Sequence, residues 1–295
     1  MTTAQPQVTA VLLNWRNSDD TLACLRQLRA CSYARLACVV VDNGSGDGSA
    51  ERIRHAEPAT PLIESPTNRG FAGGVNQGIR YALATGAEYV LLLNSDVQLS
   101  APFVSQLVTM AHADPRIGVV GPKVYRNHSY RIYTLYGFRL TRAGIRVIGW
   151  NEPDRGQFDD TSIDAISGCA MLIPRRTFQA IGLFDERFFF SYEDIDFCLR
   201  AHDAGLAIRV GDAQIEHEMG GATRNRSAWR QELVARARMQ FYHKHWQRFD
   251  PLSLPIGELR ETANQLRGAL WARDPAVAAG YLRGLAAGIR REGNI

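Results

Sequence analysis

Glu193-Asp194-Ile195-Asp196 places three carboxylates within four residues, directly after the aromatic run Phe188-Phe189-Phe190. An acidic cluster is usually a solvated turn. Beside bulky apolar groups an unpaired carboxylate is costly, which argues that at least one of these has a task. At a helix start the three side chains point in different directions, so the spacing suits one general base, with the other two as supporting neighbours. Asn94-Ser95-Asp96 closes the apolar run Tyr89–Leu93. A carboxylate there can hold Mg²⁺ or Mn²⁺, which take oxygen ligands and bridge phosphates; the competing role is a helix N-cap. His217 lies in Glu216-His217-Glu218-Met219-Gly220-Gly221, shortly before Arg224 and Arg226. A lone histidine is more often a surface or core residue than a ligand, but the companion glycines and the following arginines add weight to a ligand role.

Two further clusters suit a nucleotide. Asp42-Asn43-Gly44-Ser45 closes an apolar run, with a second Asp-Gly-Ser at 47–49 and the polar break at Asn14 nearby. A plain Asx turn accounts for it; the functional alternative is that Asp42 accepts from the ring N–H of a bound base. Asn68-Arg69-Gly70-Phe71-Ala72-Gly73-Gly74-Val75-Asn76 has the composition of a loop that presents backbone N–H groups and a helix N-terminus to an anion. It is neither a dinucleotide GxGxxG fingerprint nor a P-loop. A structural glycine turn is nearly as good a reading. Asn68, Gly73 and Asn76 are its candidate ligand contacts, alongside Asn14, Asp42, Asn43, Asn94 and Ser95.

Alternating strand and helix signals position these residues. Val8–Leu13, Cys38–Val41 and Tyr89–Leu93 read as buried strands and Leu62-Ile63 as a brief strand, separated by helical patterns around Leu22–Leu28, Ala50–Ala56 and Val75–Thr85. Such βα repeats imply parallel strands with crossover helices, and ligands then sit beyond the strands' carboxyl ends. Asn14, Asp42-Asn43 and Asn94–Asp96 all fall at such ends. The second half is less regular, with strands at Val119–Tyr125, within Tyr130–Val147, at Ala170–Ile173 and at Ile208–Val210. Helices are expected at Arg176–Ile181, Asp194–Ala204 and Ser227–His245.

After Pro251 the chain changes character. Leu259, Ala263, Leu266 and Leu270 form one apolar stripe. Asp274-Pro275 opens another helix, with Val277, Tyr281, Leu285 and Ile289 four residues apart. Surrounding arginines make this tail a candidate for peripheral membrane contact or homodimerisation, against the equally good alternative that it packs on its own domain.

Composition narrows the class. A hydrophobic fraction of 45% and a charged fraction of 22% are ordinary for a folded domain. The net charge of +4 gives little support to nucleic-acid binding. Five cysteines without a CxxC pair read as reduced thiols. The polar start MTTAQPQ does not read as a signal peptide and no apolar run reaches about 20 residues, so a cytoplasmic location is expected.

Taken in order, these segments resemble glycosyltransferase family 2, particularly its rhamnosyltransferase-like members. The resemblance runs from Val39–Ser45 through Asn68–Gly74, Leu91–Asp96, Ser167-Gly168-Cys169-Ala170, Gly182–Glu186 and Phe190–Arg200 to His217, and covers about residues 8–245. It implies a GT-A fold, an α/β Rossmann-like mixed sheet flanked by helices, with a C-terminal helical extension. The implied division is a catalytic domain over 1–250 (nucleotide half 1–97, acceptor half 98–250) and a tail over 251–295. The implied activity is inverting transfer of a sugar from a nucleotide-diphosphate donor, dTDP-rhamnose first and a UDP-sugar next, to a glycan or lipid-linked acceptor. Asp42 would contact the uracil or thymine. Asp96 and His217 would hold the divalent cation, Arg224 and Arg226 would face the donor, and Asp194 would be the base. Gly168, Glu193 and Asp196 would support the acceptor side. Asn94 departs from the stricter Asp-x-Asp pattern. A sugar-phosphate nucleotidyltransferase and a non-catalytic nucleotide-sugar-binding protein are the rival classes.

Overall fold

In a computed structural model of the chain, residues 5–127, 131–159, 162–217 and 227–290 are described. The first four parallel strands are those the apolar runs foretell: β1 (Val8–Asn14), β2 (Leu36–Asp42), β3 (Leu62–Glu64) and β4 (Tyr89–Leu93). They are joined through helices α1 (Ser18–Arg29), α2 (Ser49–Ala56) and α3 (Gly70–Ala84). The next elements are β5 (Gln98–Leu99), α4 (Phe103–Ala113), β6 (Ile117–Asn127), β7 (Ile132–Leu135), β8 (Gly137–Thr141), β9 (Gly144–Ile148), β10 (Ala170–Pro174) and α5 (Arg175–Ile181). Then come α6 (Glu193–Asp203), β11 (Ala207–Glu216), α7 (Ala228–Lys244), α8 (Ser253–Trp271) and α9 (Pro275–Arg290).

Among the described residues one nine-stranded sheet runs β3-β2-β1-β4-β10-β6-β11-β5, with β7 on β6, while β8 and β9 form a separate hairpin. Strands β3, β2, β1 and β4 are parallel, and β10 enters antiparallel between β4 and β6. Strand β11 is again parallel to β6. This mixed order has a consequence for the site. The carboxyl ends of β1, β2, β4 and β11 lie along the same edge as the amino end of β10. Apolar clusters on both faces of the sheet bury β1, β4 and β10 almost completely.

Two boundaries differ from the sequence reading. Helix α3 begins at Gly70 rather than near Val75, so most of the glycine-rich run is helical. A side chain on Gly74 would come within 2.5 Å of Leu13, and one on Gly78 within 2.4 Å of Val11, so these glycines bring α3 close against β1. Helix α4, for which the sequence reading has no assignment, carries Phe103, Val104, Leu107, Val108 and Ala111 into the core.

The tail divides. Gly280, Gly284 and Gly288 recur every four residues on the face of α9 that meets α7. An added Cβ would reach 2.1 Å from the Ala228 carbonyl oxygen at Gly280 and 2.2 Å from that of Glu232 at Gly284. Helix α9 therefore packs on its own chain, with Val277 and Tyr281 buried and Ile289 turned out. Among the described residues, no helix is long and apolar enough to cross a membrane.

Candidate functional site

The register of the sheet assembles the site. Asn14 at the end of β1 lies opposite Asp42 at the end of β2. Its side-chain amide donates to Asp42 Oδ1 at 2.6 Å and to Ser45 Oγ at 3.2 Å. Thr21, from α1, donates its hydroxyl to Asn14 Oδ1 at 3.0 Å, which orients the amide. Ser45 returns both its N–H and its hydroxyl to Asp42, at 3.1 and 2.6 Å. Asp42 is buried and accepts three hydrogen bonds, out of about four acceptor positions on a carboxylate. One acceptor position remains for a further donor. Gly44 makes this turn possible: its φ is +70°, and a Cβ would sit 2.4 Å from the Thr67 carbonyl carbon.

Next along the edge, Asn94 donates its backbone N–H to the Cys169 carbonyl at 2.8 Å, tying the end of β4 to the start of β10. Asp96 then meets His217, with Oδ1 3.2 Å from Nε2. These two residues are 121 positions apart in sequence and come together because β11 and β4 end on the same side. His217 is buried and anchored at its backbone, where its N–H donates to Tyr125 and its carbonyl accepts from Thr134. The remaining candidates beyond His217, including Arg224 and Arg226, lie outside the described residues.

Asp194 occupies the first turn of α6, on the other side of the β10 entry. Gly168 donates its N–H to Asp194 Oδ2 at 2.8 Å, and Ile195 donates to Oδ1 at 2.8 Å. Burial pushes this carboxyl above its ordinary value, and the donations from Gly168 and Ile195 offset only part of that shift. Gly168 leaves room beside it: a Cβ there would lie 3.4 Å from Asp194 Cβ and 3.6 Å from the Phe71 ring. Glu193 is buried, and among the described residues its Oε2 has no hydrogen-bond partner. Its carboxyl is raised further, by burial first and by the neighbouring Asp194 second. Cys169 adjoins these groups, but burial pushes its thiol up to about 12, which leaves it protonated and poorly nucleophilic.

Asp196 has a different environment. It is fully buried and is met by Arg200 at 2.9 Å, His245 at 2.8 Å and Lys244 at 2.6 Å. Burial works to raise this carboxyl, but His245, Arg200 and Lys244 outweigh it and hold it below the ordinary carboxylate range. Its role is to lock α6 against α7.

Several sequence candidates are also committed to structure. Asn43 donates to Asn68 Oδ1 and to the Gly70 carbonyl, and accepts from Arg69 N–H. Asn68 accepts the N–H of Gly70, and the Phe189 carbonyl accepts the N–H of Phe71. The N–H groups of Gly70 and Phe71, the first two donors of α3, are therefore taken by protein acceptors rather than offered to a phosphate. Gly73 is buried, and a Cβ there would meet Arg69 Cβ at 2.9 Å. Asn76 is buried and holds the Phe184–Glu186 loop through three hydrogen bonds. Sequence reasoning missed Thr21, Phe71 and the aromatic contact of Trp15 with Trp229, whose ring centroids lie 6.2 Å apart. Thr21 lies only seven residues from Asn14 but across a strand–helix turn, while the partner of Trp15 is distant in sequence, and no local pattern announces either contact.

A divalent cation fits the Asp96–His217 pair. The pair offers one carboxylate and one imidazole, and Asp96 is only partly buried. Among the described residues no group of three or more His, Cys, Asp or Glu side chains could hold a metal ion. Phosphate oxygens and water would complete the shell, as Mg²⁺ and Mn²⁺ commonly accept.

The chain is similar to several known proteins. A low-salt glycan biosynthesis hexosyltransferase of Haloferax volcanii, Agl10, is 27% identical over 220 residues, which is 70% of this chain and 64% of that protein. The N-acetylglucosaminyl-diphospho-decaprenol L-rhamnosyltransferase of Mycobacterium tuberculosis is 27% identical over 221 residues, 68% of this chain and 72% of its own. Among solved structures, a mannosyltransferase of Pyrobaculum calidifontis in complex with GDP-Man and Mn²⁺ aligns with a TM-score of 0.61 at 18% identity. That alignment covers 99% of this chain and 77% of the other, and shows that the two share the GT-A fold. The family description "Glycosyl transferase family 2" matches residues 11–182, more than half of the sequence, and the chain belongs to that family.

Proposed function

We propose that the protein transfers a sugar from a nucleotide-diphosphate donor to an acceptor hydroxyl by a single displacement with inversion. The observation that carries this reading is the shared sheet edge. It brings together a turn at Asp42 that suits a nucleobase, a carboxylate–histidine pair at Asp96 and His217, and a half-buried carboxylate with raised proton affinity at Asp194. Asp42 accepts from the ring N–H of the nucleobase, while Asn14, Thr21 and Ser45 fix its orientation. Asp96 and His217 hold a divalent cation, which, when bound, supplies positive charge to the departing diphosphate. Asp194 takes the proton of the acceptor hydroxyl as that oxygen attacks the sugar carbon from the opposite face. One base and no covalent nucleophile are needed, so the configuration inverts. Residues 1–97 would then serve the donor and 98–250 the acceptor.

The donor is assigned as dTDP-rhamnose first and a UDP-sugar second. The rhamnosyltransferase of Mycobacterium tuberculosis and the dTDP-rhamnosyl transferase RfbF of Shigella flexneri, 27% identical over 187 residues, support that order. The acceptor is assigned as a glycan or a lipid-linked saccharide. The family match removes the main argument for a nucleotidyltransferase.

Thermal-shift titration with dTDP-, UDP- and GDP-sugars, with and without Mn²⁺, tests the donor assignment, because a ligand bound only by the folded state raises the melting temperature. The expected result is a metal-dependent shift with dTDP-rhamnose that Asp96→Ala removes. A shift that is unchanged in excess EDTA would remove the cation from the reading.

A further inference from the structure

Helix α8 is amphipathic with its apolar stripe turned the wrong way for a core. Leu259 and Leu270 are 72% and 74% exposed, and Ala269 is the one residue of the helix that is fully covered. Leu252 and Ile256, at the start of the helix, and Trp271, at its end, extend the exposed apolar surface. Positions 252, 256, 259, 263 and 270 fall on one side of a helix by their spacing.

The charges of α8 are sorted in the same sense. Both acids face inward: Glu258 meets the buried Arg238 of α7 at 3.0 Å, and Glu261 meets it at 3.6 Å. Both bases, Arg260 and Arg267, are exposed along the border of the apolar stripe. A helix that merely covers its own domain would show the reverse pattern, apolar in and charge out on both signs. An exposed contiguous apolar surface of this kind marks an interaction site.

We infer that the outward face of α8 docks on an anionic lipid bilayer. Its apolar side chains would enter the boundary between headgroups and acyl chains, while Arg260 and Arg267 meet lipid phosphates. Charge favours this occupant over a second copy of the chain. A two-fold contact through this face would bring each Arg260 and Arg267 towards its counterparts, with both acids of the helix turned away on the inner side. The proposal goes beyond the transferase reading and does not depend on it, since vesicle binding is measured without turnover.

Flotation of the full-length protein with phosphatidylglycerol vesicles and with phosphatidylcholine vesicles tests it. The protein is expected to float with the former and to be released as salt rises. Leu259→Asp combined with Leu270→Asp should abolish flotation, and these exposed sites leave the core intact. Arg260→Gln and Arg267→Gln should each weaken partitioning about fivefold. Donor-induced thermal shifts should be unchanged in all these variants, which separates failure of this proposal from failure of the donor reading. Absence of flotation, or flotation that the double Asp variant retains, overturns the proposal. Light scattering that shows a dimer dissolved by Leu259→Asp would assign the face to a second copy instead.

Discussion

At the sheet edge Glu193 is buried and Asp194 is held by backbone N–H groups, whereas at the α6–α7 junction Asp196 and Asp185 are surrounded by cations. Asp185 accepts from Lys244 at 2.7 Å and from Arg187, and is lowered because those partners override its burial. Asp196, two residues after Asp194, is lowered for the same reason. The pair at the edge is raised, by burial in both cases. Five carboxyls within twelve residues of sequence thus divide: Asp185, Glu186 and Asp196 are paired with cations, while Glu193 and Asp194 at the sheet edge are raised. A cluster of acids says little about chemistry until its partners are known.

The largest expected effect tests the edge. Asp194→Asn should lower turnover by about 10²–10⁴-fold while donor-induced thermal shift survives. Because Asp194 is raised, the base is lost as pH falls through a value above the ordinary aspartate range, and the acid limb of the turnover profile should lie there. Near-normal turnover of this variant would give the role to Glu193.

The junction should respond in stability rather than chemistry. Asp196→Ala strands Arg200, Lys244 and His245 around a missing carboxylate and should cost about 3–5 kcal/mol in urea unfolding. The sign with pH follows from its lowered value. The contribution of Asp196 is present above the unfolded-state pKa and fades as pH falls through the folded one. A loss of activity with unchanged stability would reverse the contrast between the two regions.

The smallest effect sharpens the comparison from the other side. Glu193 is raised, so the folded state binds its proton more tightly than the unfolded state, and ionised Glu193 destabilises the fold at neutral pH. Glu193→Gln should therefore stabilise the protein by on the order of 1 kcal/mol at neutral pH, with the gain vanishing in acid where both forms are neutral. Destabilisation at neutral pH would mean that the ionised carboxylate has a partner worth keeping.

Much of this was written locally. The runs around Val8–Leu13 and Tyr89–Leu93 are apolar on both faces, which only a doubly covered strand satisfies. Because parallel strands end on the same side, Asn14, Asp42 and Asp96 had to converge there. The divergence of Glu193, Asp194 and Asp196 is likewise a matter of helical geometry. The ordered motifs were specific enough to indicate the family.

Other features depended on residues far apart in the chain. The antiparallel entry of β10 brings Gly168 to Asp194 and Cys169 to Asn94, and no local signal records strand direction. The glycines of α3 have the composition of a phosphate loop, yet Asn43, Asn68 and Phe189 take its first N–H groups and β1 takes the space. Asp194 and Asp196 are the same residue type two positions apart, and the arrival of Lys244 and His245 at the end of α7, together with Arg200 one turn along α6, separates their proton affinities. In the tail, periodicity identified an apolar stripe on α8 and another on α9, but the glycines of α9 seat it on α7 while Leu259 and Leu270 remain in solvent. The sequence by itself determines which face of an element is apolar and which side chains end a strand. What covers that face, and which charges meet those side chains, is decided by tertiary packing, because burial and ion pairing are set by neighbours that the local pattern does not contain.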